Sequence, residues 1–261
     1  MTEQAKQTRE YVLRTAYAGR DANLQSVFSS IEIMQALYDR VLRVSPDTVS
    51  DPDRDRFILS KGQSTMGLLA ILAQKGFFPE SELETACRYD SRISMQADRT
   101  KIPGVEISAG SLGHGFPIAT GIAWGNKMRG SKGRVYVLAG DGEMNEGTMW
   151  EAALFAGSEK LDNLTLIIDD NDSIGQMIDM GDISAKLDAF GFATAIVDGH
   201  DEEAITRAVD QQHEGRPLAV IAKTKRGYGS KTMMTDPRWF HRAPNDEELK
   251  KLVREVMDFA D

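Results

Sequence analysis

The rhythm of hydrophobic and polar positions changes about halfway along the chain. Over residues 7–18 and 30–43, apolar side chains recur at three- and four-residue spacing, among them Ile31, Ile33, Met34, Leu37, Val41 and Leu42. That is the period of a helix with one buried face. Helix and loop are predicted through Ser60–Arg92, with Pro79 near the start of one further helix. From Arg134 onward the pattern shortens to continuous apolar runs: Val135–Ala139, Leu164–Ile168, Ala193–Val197 and Leu218–Ala222. Short runs rich in β-branched side chains predict strands buried on both faces. Helices are predicted between them near 147–159, 182–190 and 201–214. A last amphipathic helix is predicted over 245–259, with Asn245 or Asp246 as its cap. Strands alternating with helices imply right-handed βαβ units and a parallel sheet with helices on both faces. No Pro/Gly/Ser-rich linker divides the 261 residues. The expectation is one α/β domain over 1–261, with a helical N-terminal part at about 1–100 and an α/β core at about 101–261.

Composition narrows the class. The chain is 41% hydrophobic and 27% charged, ordinary for a soluble globular protein. The single Cys87 has no intrachain partner, which fits a reducing cytoplasm. The stretch Met1–Arg9 is polar, and no apolar run approaches the ~20 residues that span a bilayer. A net charge of −9 argues against binding nucleic acid or an anionic membrane. An acidic protein still binds a phosphorylated ligand where backbone N–H groups and a divalent cation supply local positive field.

Two strand ends carry matching chemistry. One run leads into Gly140-Asp141-Gly142-Glu143-Met144-Asn145-Glu146-Gly147, the next into Asp169-Asp170-Asn171-Asp172-Ser173. In open parallel sheets, ligands bind beyond the carboxyl ends of the strands. The glycines flanking Asp141 permit a sharp turn and close backbone approach, and a helix starting just after it favours an anion. Asp141 supplies a carboxylate oxygen and Asn171 an amide oxygen, hard ligands suited to Mg²⁺ or Ca²⁺ with phosphate oxygens completing the shell. Each motif alone is a common turn or cap. Paired on successive strands, they point to a metal–diphosphate site. Other phosphate motifs fail: Ser131-Lys132 stands where a P-loop needs Lys-Ser/Thr, and Gly110–Gly115 lacks the dinucleotide-binding spacing.

Gly140-Asp141-Gly142 with Asp170-Asn171 resembles the thiamine diphosphate signature. The segments Arg54–Gly62, Pro103–Gly113, Glu146-Gly147, Glu151–Ala153 and Gly227–Ser230 narrow the resemblance to transketolases. It covers nearly the whole chain. The resemblance implies thiamine diphosphate and Mg²⁺ (or Ca²⁺) as cofactors. It further implies Asp141, Asn171 and the Ser173 carbonyl as metal ligands, with Gly140, Gly142 and Glu143 at the diphosphate, the last two through backbone N–H groups. Gly110 and Leu112 would sit against the aminopyrimidine, and Glu146 and Glu151 in an acidic cluster at a subunit interface.

Two departures from the family pattern shape the expected function. The chain stops where a full-length transketolase continues into the pyrimidine-binding domain, which carries the catalytic glutamate. The expectation is a split enzyme whose partner chain supplies that half, as an α2β2 assembly. The sugar-binding histidines are mostly replaced: Gln63 follows Ser60-Lys61-Gly62, Gln96 stands in Met95–Arg99, and residues near Asn23-Leu24-Gln25 replace an N-terminal histidine motif. His241 is retained, and His114 stands where relatives have Gln. The resemblance implies Gln63, His114 and His241 as the catalytic residues on the substrate side. Gln hydrogen-bonds but does not shuttle protons as His does. The expected reaction is two-carbon transfer from a ketose-type donor to an aldehyde. A 2-oxoacid-decarboxylating, acyloin-forming reaction is the alternative, and a non-catalytic cofactor-holding role the second. His200 and His213 are expected to be surface or structural, Trp150 to pack, Met177, Met180, Met233 and Met234 to be flexible loop or packing residues, and Asp201–Glu203 to favour a helix N-terminus.

Overall fold

The computed structural model describes residues 1–108, 110–173, 178–211, 213 and 215–260. Five strands form one parallel sheet: β1 (Arg56–Leu59), β2 (Val135–Gly140), β3 (Leu164–Asp170), β4 (Ala193–Asp198) and β5 (Leu218–Lys223). Their order is β1-β2-β3-β5-β4. The helices are α1 (Glu3–Gly19), α2 (Leu24–Phe28), α3 (Ile31–Ala36), α4 (Thr65–Gln74), α5 (Gly115–Met128), α6 (Gly147–Ser158), α7 (Ile183–Ala189), α8 (Glu202–Val209), α9 (Lys231–Thr235) and α10 (Asp246–Met257).

Alternate residues of β2 face opposite layers, which is why its whole run is apolar. Val135, Val137 and Ala139 pack under α5, α6 and α7 with Phe116, Ala153 and Leu187. Tyr136 and Leu138 pack under α3, α4 and α8 with Ile33, Leu69 and Ile205. A third cluster joins α1, α2 and α10 through Leu13, Phe28, Leu252 and Val256. The four predicted strands are all present and parallel. Asn245 caps α10 with a full capping box, and Asp201 caps α8 through the N–H groups of Glu203 and Ala204. Each such cap stabilises its helix by about 1 kcal/mol.

Several elements differ from expectation. β1 lies inside the segment expected to be helical and pairs with β2, so the sheet draws on the first hundred residues as well. α5 was not predicted. The 30–43 helix is shorter, with α3 running into a π-helical turn at Leu37–Val41. After Pro79 comes only a 3₁₀ segment, Glu80–Thr85. The helix expected over 201–214 ends at Val209.

The chain order reverses between β3 and β5, because the β3–β4 connection passes over the place β5 later fills. Such a reversal leaves a crevice at the carboxyl ends of the strands. The tips of β1, β2, β3 and β5 all deliver polar residues to this end of the sheet.

Candidate cofactor site

Asp141 and Asn171 follow β2 and β3, adjacent strands in register with Gly140 opposite Asp169. Both side chains are nearly enclosed, 4% and 6% exposed. Asp141 Oδ1 accepts from the Gly142 N–H at 2.8 Å and the Ser173 hydroxyl at 2.6 Å, and Oδ2 from the Ser173 N–H at 2.8 Å. A carboxylate offers about four lone-pair positions, so one remains, on Oδ2. Asn171 donates from Nδ2 to Asp169 Oδ2 at 2.9 Å, while its Oδ1 is buried with no hydrogen-bond partner among the described residues. A buried, unpaired carbonyl oxygen is costly unless a ligand satisfies it. A hard cation is the ligand its chemistry fits.

Beside Asp141 is a cleft of about 350 Å³ lined also by Asp170, Asp172, Asp179, Asp182 and Lys223. Lys223 is already ion-paired with Asp170. A diphosphate meets repulsion among these carboxylates unless a divalent cation accompanies it. No group of three or more His, Cys, Asp or Glu side chains is arranged to hold a metal among the described residues. Asp141 offers a carboxylate oxygen and Asn171 an amide oxygen, donor types that Mg²⁺ accepts together with phosphate oxygens and water.

The 3₁₀ turn Gly142–Asn145 follows Asp141. The Gly142 N–H is engaged by Asp141, whereas the Glu143 N–H has no acceptor among the described residues. The Glu143 side chain turns inward. Its Oε1 accepts from the Ser60 hydroxyl at 2.5 Å and the Gly113 N–H at 2.8 Å. Burial pushes the Glu143 carboxyl above its ordinary range, and the hydrogen bonds and nearby Lys61 offset only part of that. Ser60 Oγ in turn accepts from the Phe116 N–H at 3.1 Å. Thr148 donates to the Gly113 carbonyl at 2.6 Å. Gly113 has φ +77°, and a Cβ there would lie 2.6 Å from Glu146 Cβ. The loop before α5 is therefore fastened to the turn after β2, and only glycine fits at the fastening point.

Residues 20–260 match the family described as transketolase, thiamine diphosphate binding domain. The chain belongs to the transketolase family. It is 36% identical to one of the subunits of the apulose-4-phosphate transketolase of Actinobacillus succinogenes, over 96% of this chain and 93% of that one. It is 36% identical to the SqwG subunit of the 6-deoxy-6-sulfo-D-fructose transketolase of a Clostridium species, over 77% and 76% of the two chains. Among solved structures it resembles transketolase of Pichia stipitis in complex with sedoheptulose-7-phosphate, with TM-score 0.89 and 25% identity over 95% of this chain. It spans only 39% of that chain, and 43% of the similar Campylobacter jejuni transketolase.

Of the expected site residues, Asp141, Gly142 and Ser173 are joined by hydrogen bonds, Glu143 holds Gly113, and Asn171 follows the neighbouring strand. Ser173 contacts Asp141 through its N–H and hydroxyl. Ala109, Ile174, Gly175 and Met177 lie outside the described residues. Gly110 is exposed and its α-carbon faces the Gln96 side chain, which a Cβ would meet at 3.5 Å. Leu112 is half-buried, and its carbonyl lies 3.1 Å from His114 Nδ1. His114 precedes α5 but its side chain does not cap it.

The three expected substrate-side residues are not joined by hydrogen bonds among the described residues. Gln63 is half-buried just after Lys61. His241 is exposed, with Nδ1 3.3 Å from Asn23 Oδ1. This contact places the Asn23 segment against His241. Gln25, by contrast, is a buried clamp, donating to the Met233 carbonyl at 2.5 Å. His200 and His213 are structural: His200 lies 3.2 Å from Glu32 and stacks on Tyr228, and His213 lies 3.1 Å from Arg134. Trp150 packs on Phe190 and donates to the Met144 carbonyl. Met233 is fully buried, Met180 packs against the core and Met234 is exposed. Three features of the site were not anticipated from the sequence: the inward Glu143 side chain, Ser60 as its partner, and Asp169 with Lys61, whose ion pair is completely buried. A charged pair inside two otherwise apolar strand ends is the signal that was available.

Proposed function

We propose that this chain is the diphosphate-binding subunit of a split transketolase that moves a two-carbon unit from a ketose-type donor to an aldehyde. The observation that carries the reading is the buried, unpaired Asn171 Oδ1, which follows the strand next to the one that ends at Asp141. Asp141 and Asn171, with the Ser173 carbonyl, would hold Mg²⁺ (or Ca²⁺), and the Glu143 N–H would donate to a diphosphate oxygen. When bound, thiamine diphosphate supplies the carbanion chemistry. The chain's own residues fix the turn, the loop before α5 and the cation. Preorganisation of this kind does most of its work by keeping charged groups in place while water is excluded.

A second polypeptide would supply the pyrimidine-binding domain and its glutamate, the whole being an α2β2 assembly. Two relatives are named as subunits of transketolases. The surface of α5 and α6 agrees: Ile118, Trp124, Met128, Leu154 and Phe155 are exposed, and Trp124 meets Phe155 edge-on with ring centroids 6.0 Å apart. Apolar side chains clustered in this way mark an interaction surface.

Gln63 and Gln96 keep a 2-oxoacid donor as a second reading, because both positions lack the histidine that transketolases carry. The test is reconstitution with the partner chain, assayed with phosphorylated ketoses and with 2-oxoacids. Turnover of ketoses supports the proposal, turnover of 2-oxoacids alone supports the second reading, and cofactor binding without either reaction identifies a non-catalytic role.

A further inference from the structure

The Asp169 carboxylate is fully buried and accepts hydrogen bonds from four elements. Oδ2 receives the Ser29 hydroxyl at the end of α2 at 2.6 Å, Lys61 Nζ after β1, and Asn171 Nδ2 after β3 at 2.9 Å. Oδ1 receives the Thr224 hydroxyl after β5. Lys61 is equally buried, and its ammonium also donates to the Ser26 carbonyl at 3.0 Å.

A primary amide has two nearly isosteric ends, one accepting and one donating. At Asn171 only the oxygen end is useful to a cation. Ser29 Oγ and an amide or hydroxyl neighbour could satisfy either end, because each both donates and accepts. A carboxylate paired with an ammonium only accepts. It therefore draws Nδ2 inward and leaves Oδ1 on the opposite side of the amide.

We propose that Asp169, held by Lys61, is a positioning residue that sets the amide of Asn171 so that its oxygen is presented to the cation. The inference rests on the metal reading of Asp141 and Asn171. It gives the buried pair a purpose beyond stability, since buried ion pairs as a class are weak contributors to stability. The same carboxylate links the tips of β1, β3 and β5 to α2, so the ligand is fixed relative to the whole crevice.

The test is Mn²⁺ titration of the full chain with thiamine diphosphate, read by the loss of the free Mn²⁺ electron paramagnetic resonance signal. The variant is Lys61→Met/Asp169→Asn, which neutralises both members at similar volume. Outer residues that orient a metal ligand typically matter by about 10–100-fold in metal affinity. The expected result is Mn²⁺ affinity at least about tenfold weaker, in a double variant that still melts cooperatively. Wild-type Mn²⁺ affinity in the folded double variant would overturn the proposal. If the double variant does not fold, Ser29→Ala carries the test: a several-fold loss supports it and wild-type affinity overturns it. Asn171→Ala separates the two levels. If Asn171→Ala itself binds Mn²⁺ normally, the metal reading fails. If it loses Mn²⁺ while the double variant does not, only the positioning role fails.

Discussion

The hydroxyl of Ser60 donates to the Glu143 carboxylate at 2.5 Å, tying the tip of β1 to the turn after β2. The same carboxylate holds the Gly113 N–H. One buried acid thus sets the spacing between two glycine-rich loops that flank the candidate site.

This contact has a pH signature. Burial raises the Glu143 carboxyl above its ordinary value of 4.5, so the folded state favours the protonated form more than the unfolded chain does. Its contribution to stability is fully present below the unfolded-state value and is lost as pH rises through the folded-state value. Glu143→Gln keeps the shape and an acceptor oxygen without the charge. The melting temperature of Glu143→Gln is expected to gain on wild type as pH rises from 4 to 7, checked by thermal denaturation across that range. A difference independent of pH contradicts the assignment.

Gly113→Ala forces a side chain into a left-handed backbone at φ +77°, with Glu146 Cβ 2.6 Å and Thr148 Oγ1 2.7 Å away. The expected cost is about 2–3 kcal/mol from strain and displaced contacts. Calorimetric melting should fall by several degrees, and proteolysis should quicken in the loop before α5.

A second buried network braces the fold. Arg9 Nη1 lies 2.7 Å from Glu32 Oε1, with side chains 0% and 1% exposed. His200 and Lys225 extend it, the Lys225 N–H donating to His200 Nε2 at 2.9 Å. Burial pushes Glu32 up, but Arg9 and His200 together outweigh it and hold its pKa below the ordinary value. Glu32→Ala leaves a buried guanidinium without its partner, at an expected cost of about 3–5 kcal/mol. Denaturant unfolding should show a loss of unfolding free energy of that size, read as a lower midpoint.

The apolar face of α5 and α6 should matter for assembly and not for folding. Leu154 is 58% exposed and Met128 70%. Leu154→Glu should leave the melting temperature of the isolated chain within a degree or two and weaken association with the partner at least about tenfold, or about 1.4 kcal/mol. Light scattering of the reconstituted enzyme checks the association, and thermal denaturation of the isolated chain checks the folding.

Much of this was legible in the chain. The runs at 135–139, 164–168, 193–197 and 218–222 are β-branched and bounded by turn residues, so each announced its strand. β1 was hidden because its four residues begin with Arg56 and follow the charged stretch Asp51–Asp55, too short for a periodic signal. α5 was hidden by Pro117, Gly121 and Gly125, which lower helix propensity although packing on β2 overrides it. The site's backbone turns were visible as glycine-flanked aspartate and strand-end asparagine. Its supporting contacts were not: Ser60 and Glu143 lie 83 positions apart, and Lys61 and Asp169 lie 108 apart. Only the parallel pairing of β1, β2 and β3 brings them together.

The most direct measurement is a calorimetric titration of thiamine diphosphate into the chain with its partner, with and without Mg²⁺, for wild type and Asp141→Ala. Mg²⁺-dependent binding is expected in wild type, and its loss, by at least about a hundredfold, in a variant that still melts cooperatively. Equal affinity for the cofactor in both proteins, with the variant folded, would contradict the metal–diphosphate assignment.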